Sequence, residues 1–151
     1  MTKSFTNELN NLASEVWSSM ASTSLEASEK IVTPEELNGY VVSSVEVDGA
    51  WAGSVRLDMN MDMARATTAK LLGAEEADVS SEEIQDAVGE LANILGGGVK
   101  ELMPQPCKLS PPSVAIGDER KSVIGQGRVT TECSFVAESG RLHVTVVEKD
   151  N

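Results

Sequence analysis

The chain has a single histidine and only two cysteines, Cys107 and Cys133, which stand far apart. That spacing excludes a Cys-x-x-Cys redox or zinc signature, and one histidine without a companion cluster does not make a zinc centre. Either cysteine reads as a small buried hydrophobe. Aromatic residues amount to 3%, so the core has to be filled by Val, Leu, Ile, Ala and Met. Basic residues are scarce, 12 Lys and Arg against 24 Asp and Glu, for a net charge of −12. A nucleic-acid binder displaces counterions with a positive field, and an anionic membrane face asks for the same. No basic cluster supplies one here, whereas a partner with a positive patch is compatible. No apolar run is long enough to span a bilayer, and the N-terminus leads into an amphipathic pattern, not a signal-peptide core. The expectation is a cytoplasmic protein with no metal or cofactor of its own, and neither nucleic acid nor membrane as partner.

The 151 residues, 40% of them hydrophobic, suit one domain over 1–151. Residues 4–21 read as helix, because Phe5, Leu9, Leu12, Val16 and Met20 recur at helical steps and Trp17 widens the stripe. Residues 25–32 carry a poor strand signal, and 33–39 a loop or single turn. Residues 40–47 and 51–59 alternate, and Asp48-Gly49 between them is a hairpin signal. Asn60 or Asp62 can cap the next helix, 61–72, which stops at Gly73. Residues 75–79 are an acidic connection. Beyond 103 the prolines at 104 and 106 end the following helix. Residues 113–116 start a strand, 117–119 turn, and 123–136 form a long strand in which Gly125 and Gly127 suggest a bulge or bend. After a turn at 138–140, Leu142, Val144 and Val146 alternate with more polar neighbours around His143. Hairpins dominate, so the fold class is α/β in the α+β sense, a largely antiparallel sheet packed by long helices.

Residues 80–103 stand out. Ser80 and Glu83 form a capping box. Ile84, Val88, Leu91, Leu95 and Leu102 make an apolar stripe. Asp86, Glu90, Asn93 and Gly97 fall at steps of four, three and four and share one polar face. Side chains at such steps lie about 5–6 Å apart at Cβ, so Glu90 and Asn93 present a carboxylate beside a carboxamide. Gly96, Gly97 and Gly98 follow. Each costs about 1 kcal/mol of helix stability relative to alanine, and three in succession imply close approach to the helix backbone by a neighbouring helix or another protein.

A Glu-x-x-Asn pair alone is ordinary on a solvated face. The longer string, Asp86-x-x-x-Glu90-x-x-Asn93-x-x-x-Gly97 running on to Ser110-Pro111-Pro112-Ser113-Val114, resembles the CheX, CheC and FliY phosphatase family, and CheX most specifically. The resemblance implies a CheC-like fold of two pseudo-related halves, a homodimer through sheet edges, and hydrolysis of the aspartyl phosphate on a CheY-like response regulator in chemotaxis or a related two-component pathway. It implies that Glu90 pairs with a lysine of the regulator and that Asn93 aims the attacking water. The Mg²⁺ would be the regulator's own. Asp86, Gly96 and Gly97 would touch the partner or make room for it. A carboxamide suits the water's task, since its carbonyl accepts from water while its NH₂ donates elsewhere. Phosphoryl transfer asks mainly for such positioning. An echo, Glu8 and Asn11, has the same spacing in the first helix and is a candidate weaker second site, with Ser14 and Glu15 where the other copy has glycines. The alternative function is a non-catalytic regulator-binding or flagellar-switch-type interaction module.

Overall fold

The structure, a computed structural model, describes residues 5–28, 40–116 and 127–150. The expected strand beyond Ser28, the loop 33–39, the turn 117–119 and Gly125 with the rest of 123–126 lie outside the described residues.

Three helices cover one face of an antiparallel sheet. In chain order the elements are α1 (Thr6–Ala21), β1 (Glu26–Ser28), β2 (Tyr40–Gly49), β3 (Gly53–Asn60), α2 (Met61–Leu72), a single 3₁₀ turn (Glu76–Asp78), α3 (Ser81–Leu102), β4 (Cys107–Leu109), β5 (Ser113–Ile116), β6 (Gly127–Ala137) and β7 (Gly140–Lys149). The strand order is β1-β6-β7-β3-β2-β4, with β5 also pairing β2. The run α1, β1 and the β2–β3 hairpin is thus echoed by α3, β4 with β5, and the β6–β7 hairpin. Each edge strand pairs with the other run's hairpin, β1 with β6 and β4 and β5 with β2, while β3 and β7 meet at the centre.

The core lies between sheet and helices. Val41, Val45, Val55, Leu57, Met59, Leu142, Val144 and Val146 project from the strands, and Leu9, Ala13, Trp17, Ile84, Val88, Leu91, Leu95 and Val99 meet them from α1 and α3. Alternation along each strand separates these from the side chains on the far face. Trp17 is buried and its indole Nε1 donates to Thr67 Oγ1 at 3.3 Å. Both cysteines are free and buried. Burial, and secondarily the charge of Glu132, pushes the Cys133 thiol up to about 11, so it stays protonated and unreactive near neutral pH. His143 is buried and its Nδ1 lies 2.8 Å from Ser134 Oγ.

Several local expectations shift. The second strand begins at Gly53, because Trp51 folds into the turn with its ring over the glycine, where a Cβ would collide. Asn60 stands at the N-cap position of α2 without capping it; its Oδ1 accepts from Arg141 N at 2.9 Å and holds the far hairpin instead. The bulge in β6 falls between Val129 and Thr131, not at Gly127, which remains in register with Lys149. Leu102 and Met20, expected in the apolar stripes, are exposed. Both stand at helix ends, where Met103 and Ala21 take the buried places.

The three glycines of α3 do not serve one neighbour. Consecutive helical residues point about 100° apart at 3.6 residues per turn, and each glycine meets something different. Gly96 is buried, and a Cβ there would overlap Val45 Cγ2 and stand 3.3 Å from Leu109 Cδ2. A Cβ at Gly98 would stand 2.9 Å from Leu12 Cδ2 of α1. Gly97 is half-exposed, and its nearest outside atom would be Leu109 Cδ1 at 3.8 Å. The expectation that Gly96 clears space for another molecule is therefore corrected: the chain's own sheet takes that space. Gly97 alone of the three is turned outward.

Alanine substitutions separate these roles. Gly96→Ala should lower unfolding free energy by about 1–3 kcal/mol through overpacking. Gly97→Ala should raise it by up to about 1 kcal/mol through helix propensity. Urea denaturation measures both, and a Gly96→Ala protein as stable as the parent overturns this packing account.

Candidate functional site

The start of α3 is set by its capping box. Glu83 N donates to Ser80 Oγ at 3.1 Å, and Ser80 N donates to Glu83 Oε1 at 2.9 Å. The buried stripe then fixes the rotation of the helix, and the polar face is left pointing away from the sheet. Asp86 and Glu90 are exposed and Asn93 is half-buried. The side chains of Glu90 and Asn93 make no hydrogen bond to any described residue, so both are available to a second molecule.

A proline break runs beside this ridge. Between β4 and β5 the edge strand is interrupted by Ser110, Pro111 and Pro112. The two prolines have no N–H to give a ladder, and Ser110 bridges the gap. Its N–H donates to Glu46 O at 2.9 Å, and its Oγ accepts from Glu46 N at 2.9 Å. Pro112 is thereby held against α3, where a Cβ on the buried Gly89 would stand 3.4 Å from Pro112 Cγ and Val114 Cγ2. Gly89 and Gly96, seven apart, form the flank of α3 turned toward β4 and β5. Ser110 belongs to the Ser-Pro-Pro-Ser-Val string already singled out, but its bridging role was not legible there; Gly89 was not singled out, and the available signal was a small residue seven before Gly96.

Glu8 and Asn11 are also exposed, one turn apart on α1, with Ser14 half-buried and Glu15 exposed beyond them. The two Glu/Asn pairs lie on different helices and do not come together.

The α3 ridge is convex. A cleft of about 960 Å³ lies near the end of α1, lined by Thr23, Glu26, Asp62, Lys70 and Glu138 among others. A second, of about 540 Å³, lies on the far face of the sheet. Neither is lined by Glu90 or Asn93. Among the described residues no group of three or more His, Cys, Asp or Glu could hold a metal ion, and no helix is long and apolar enough to cross a membrane. A ridge with an unpaired carboxylate and carboxamide cannot enclose a substrate. It can enter another protein's cavity.

Comparison with known proteins identifies the family and the fold. The family described as Chemotaxis phosphatase CheX matches residues 41–134, more than half of the chain. The chain belongs to that family. Its fold is shared with the chemotaxis protein CheX from Vibrio vulnificus, at 23% identity and TM-score 0.79 over 96% of each chain. A chemotactic CheC-like protein from Shewanella oneidensis MR-1 is 25% identical, with TM-score 0.73 over 96% of this chain and 97% of that one. A CheX solved in a CheX–CheY–BeF3–Mg²⁺ complex from Borrelia burgdorferi is 19% identical, with TM-score 0.76 over 99% of this chain and all of that one. No curated protein matches the chain.

Because Glu90 and Asn93 have no partners among the described residues, Glu90→Ala and Asn93→Ala should each leave the unfolding free energy within about 0.5 kcal/mol of the parent. Thermal and urea unfolding check this. A loss of 2 kcal/mol or more, about the size of a core defect, would show that these side chains support the fold and are not free for a partner.

Proposed function

We propose that the chain is an aspartyl-phosphate phosphatase for a CheY-like response regulator, and that the α3 ridge enters the regulator's active site. The observation that carries this is the outward pair Glu90 and Asn93, one turn apart and unpaired among the described residues, in a member of a chemotaxis phosphatase family. The Borrelia burgdorferi relative was solved in a complex with CheY, BeF3 and Mg²⁺, which supports a regulator of that kind as the partner.

The chemistry asked of the ridge is small. In the proposed step the water oxygen forms a bond to phosphorus and the acyl P–O bond breaks. The regulator's aspartate leaves as carboxylate, and the proton lost by water passes to phosphate or solvent. The Mg²⁺ that neutralises the phosphoryl oxygens belongs to the regulator. Asn93 accepts a hydrogen bond from the water and directs its lone pair in line with the leaving oxygen. No strong base is required, because a loose transition state builds little bond to the nucleophile. Glu90, one turn earlier, pairs with a lysine of the regulator in a charge-assisted bond shielded from water and sets the depth at which Asn93 enters. Asp86 adds a contact one turn further back. Gly97 leaves the ridge low enough for the regulator's loops to close over it.

In this reading Glu8 and Asn11 form a weaker second site at most. Glu15 places bulk and charge where α3 has Gly97. The protein would work in the cytoplasm beside its regulator, as a homodimer joined through sheet edges. Among the described residues β1 pairs with Ser134–Val136 of β6, and Val129 further along β6 is 38% exposed, which is compatible with that arrangement.

Decay of acyl phosphate on a regulator, with the protein in trace amounts, tests the assignment. Asn93→Ala should lower turnover by about 100-fold or more while leaving affinity nearly unchanged. Glu90→Ala should weaken both, by about tenfold or more. Glu8→Ala with Asn11→Ala should cost less than either. Equal decay with the parent and Asn93→Ala would sink the water-positioning role, and purely stoichiometric protection would favour the binding-module reading. Light scattering should give twice the 16.0 kDa of one chain; a protomer mass across the micromolar range removes the dimer.

A further inference from the structure

The far face of the sheet carries charges that the α3 ridge does not use. Arg56 and Asp58 stand two apart on β3, so both side chains leave on that face. Arg56 is 5% exposed and Asp58 0%. Arg56 Nε donates to Asp58 Oδ1 at 2.8 Å and Nη2 donates to Oδ2 at 2.9 Å. This side-on fork uses one edge of the guanidinium. Of its five N–H groups, those on the outer edge have no partner among the described residues. Ser43 Oγ is the described side-chain atom that is wholly buried without a partner, so the free edge of Arg56 is not sealed in.

It opens where Arg56 lines the cleft of about 540 Å³. Ser44, the register partner of Arg56, and Ser54, two residues before it, line the same cleft. Neither hydroxyl has a hydrogen bond among the described residues. Lys108 and Lys149 also line it, as do two acids, Glu46 and Asp48, the latter the register partner of Lys108. On a chain of net charge −12, this gathers cations and free donors around a nearly buried guanidinium.

We propose that this cleft binds an oxyanion, the carboxylate or phosphoryl group of a small organic molecule. The free edge of Arg56 is a planar two-pronged donor whose geometry matches such a group. Asp58 holds the guanidinium so that this edge faces outward; it is a positioning residue. Ser44 and Ser54 complete the donor set, and Lys108 and Lys149 add charge. Glu46 and Asp48 disfavour a multiply charged ligand, so a single oxyanion group fits best. The volume falls in the range of about 300–1,000 Å³ usual for small-molecule sites, so there is room beyond a bare ion.

The test titrates the full chain with inorganic phosphate and, separately, with acetate, against sodium chloride at matched ionic strength. The Arg56 Nε–H resonance and the unfolding temperature are followed. At least one probe should give a saturable shift that chloride does not, and which probe does so tells a phosphoryl ligand from a carboxylate. Ser54→Asp, which places a carboxylate beside the fork, should weaken binding by about tenfold or more. Replacing Arg56→Met and Asp58→Leu together removes both charges and should abolish binding while leaving regulator dephosphorylation unchanged. Should that double variant fail to fold, Ser54→Asp still decides the matter. The proposal is overturned if neither probe saturates, if chloride reproduces the shift, or if Ser54→Asp binds as the parent does.

Discussion

The approach of α3 to the sheet at Gly96 governs the rest. Val45 of β2 occupies the space where a side chain on Gly96 would stand, and Leu109 of β4 closes in beside it. The capping box sets where the helix begins, and the apolar stripe sets its rotation. The glycine sets its depth. A larger residue there would lift the helix off the sheet and tilt Glu90 and Asn93 relative to the proline break that flanks them. The site is therefore placed by packing on the buried side of the helix that carries it.

That placement suits the role proposed for the ridge. A convex ridge has no walls to exclude water or bind substrate tightly by itself. What it can do is bring a carboxamide and a carboxylate into a cavity where another protein already holds the phosphoryl group. In the proposed reaction most of the electrostatic stabilisation comes from that partner, and the ridge adds the alignment of one water. The Pro111-Pro112 segment gives the ridge a stiff shoulder, since Ser110 supplies the N–H donor that the prolines lack and its Oγ accepts from Glu46 N as well.

The sheet gives its two faces different work. One is apolar and seals the core under the helices. The other buries Arg56, Asp58, Ser134, His143 and Thr145. A buried ion pair such as Arg56–Asp58 rarely adds net stability over apolar residues of the same shape. On the proposed reading its role is to orient a guanidinium toward a ligand. α1 and α3 lie over matching sets of strands, and each carries a Glu/Asn pair. Only one of them is followed by a glycine that leaves room outside.

The features legible in the sequence were those encoded within a few residues of one another. The Ser80–Glu83 box, the stop at Gly73, the hairpin after residue 47 and the common face of Asp86, Glu90, Asn93 and Gly97 all follow from local hydrogen bonding or from helical and strand periodicity. The antiparallel character of the sheet followed from counting hairpins. Pairings between distant segments could not be read that way. Three adjacent glycines look alike in sequence, yet Gly96 faces β2, Gly98 faces α1 and Gly97 faces out, because 100° of helical rotation separates each from the next. Asn60 reads as a helix cap until Arg141, far along the chain, offers its N–H. Arg56 and Asp58 read as a polar alternation until the third dimension brings Ser44 and Lys108 beside them. Local periodicity decided which side chains share a face; the long-range packing of that face decided what each of them meets.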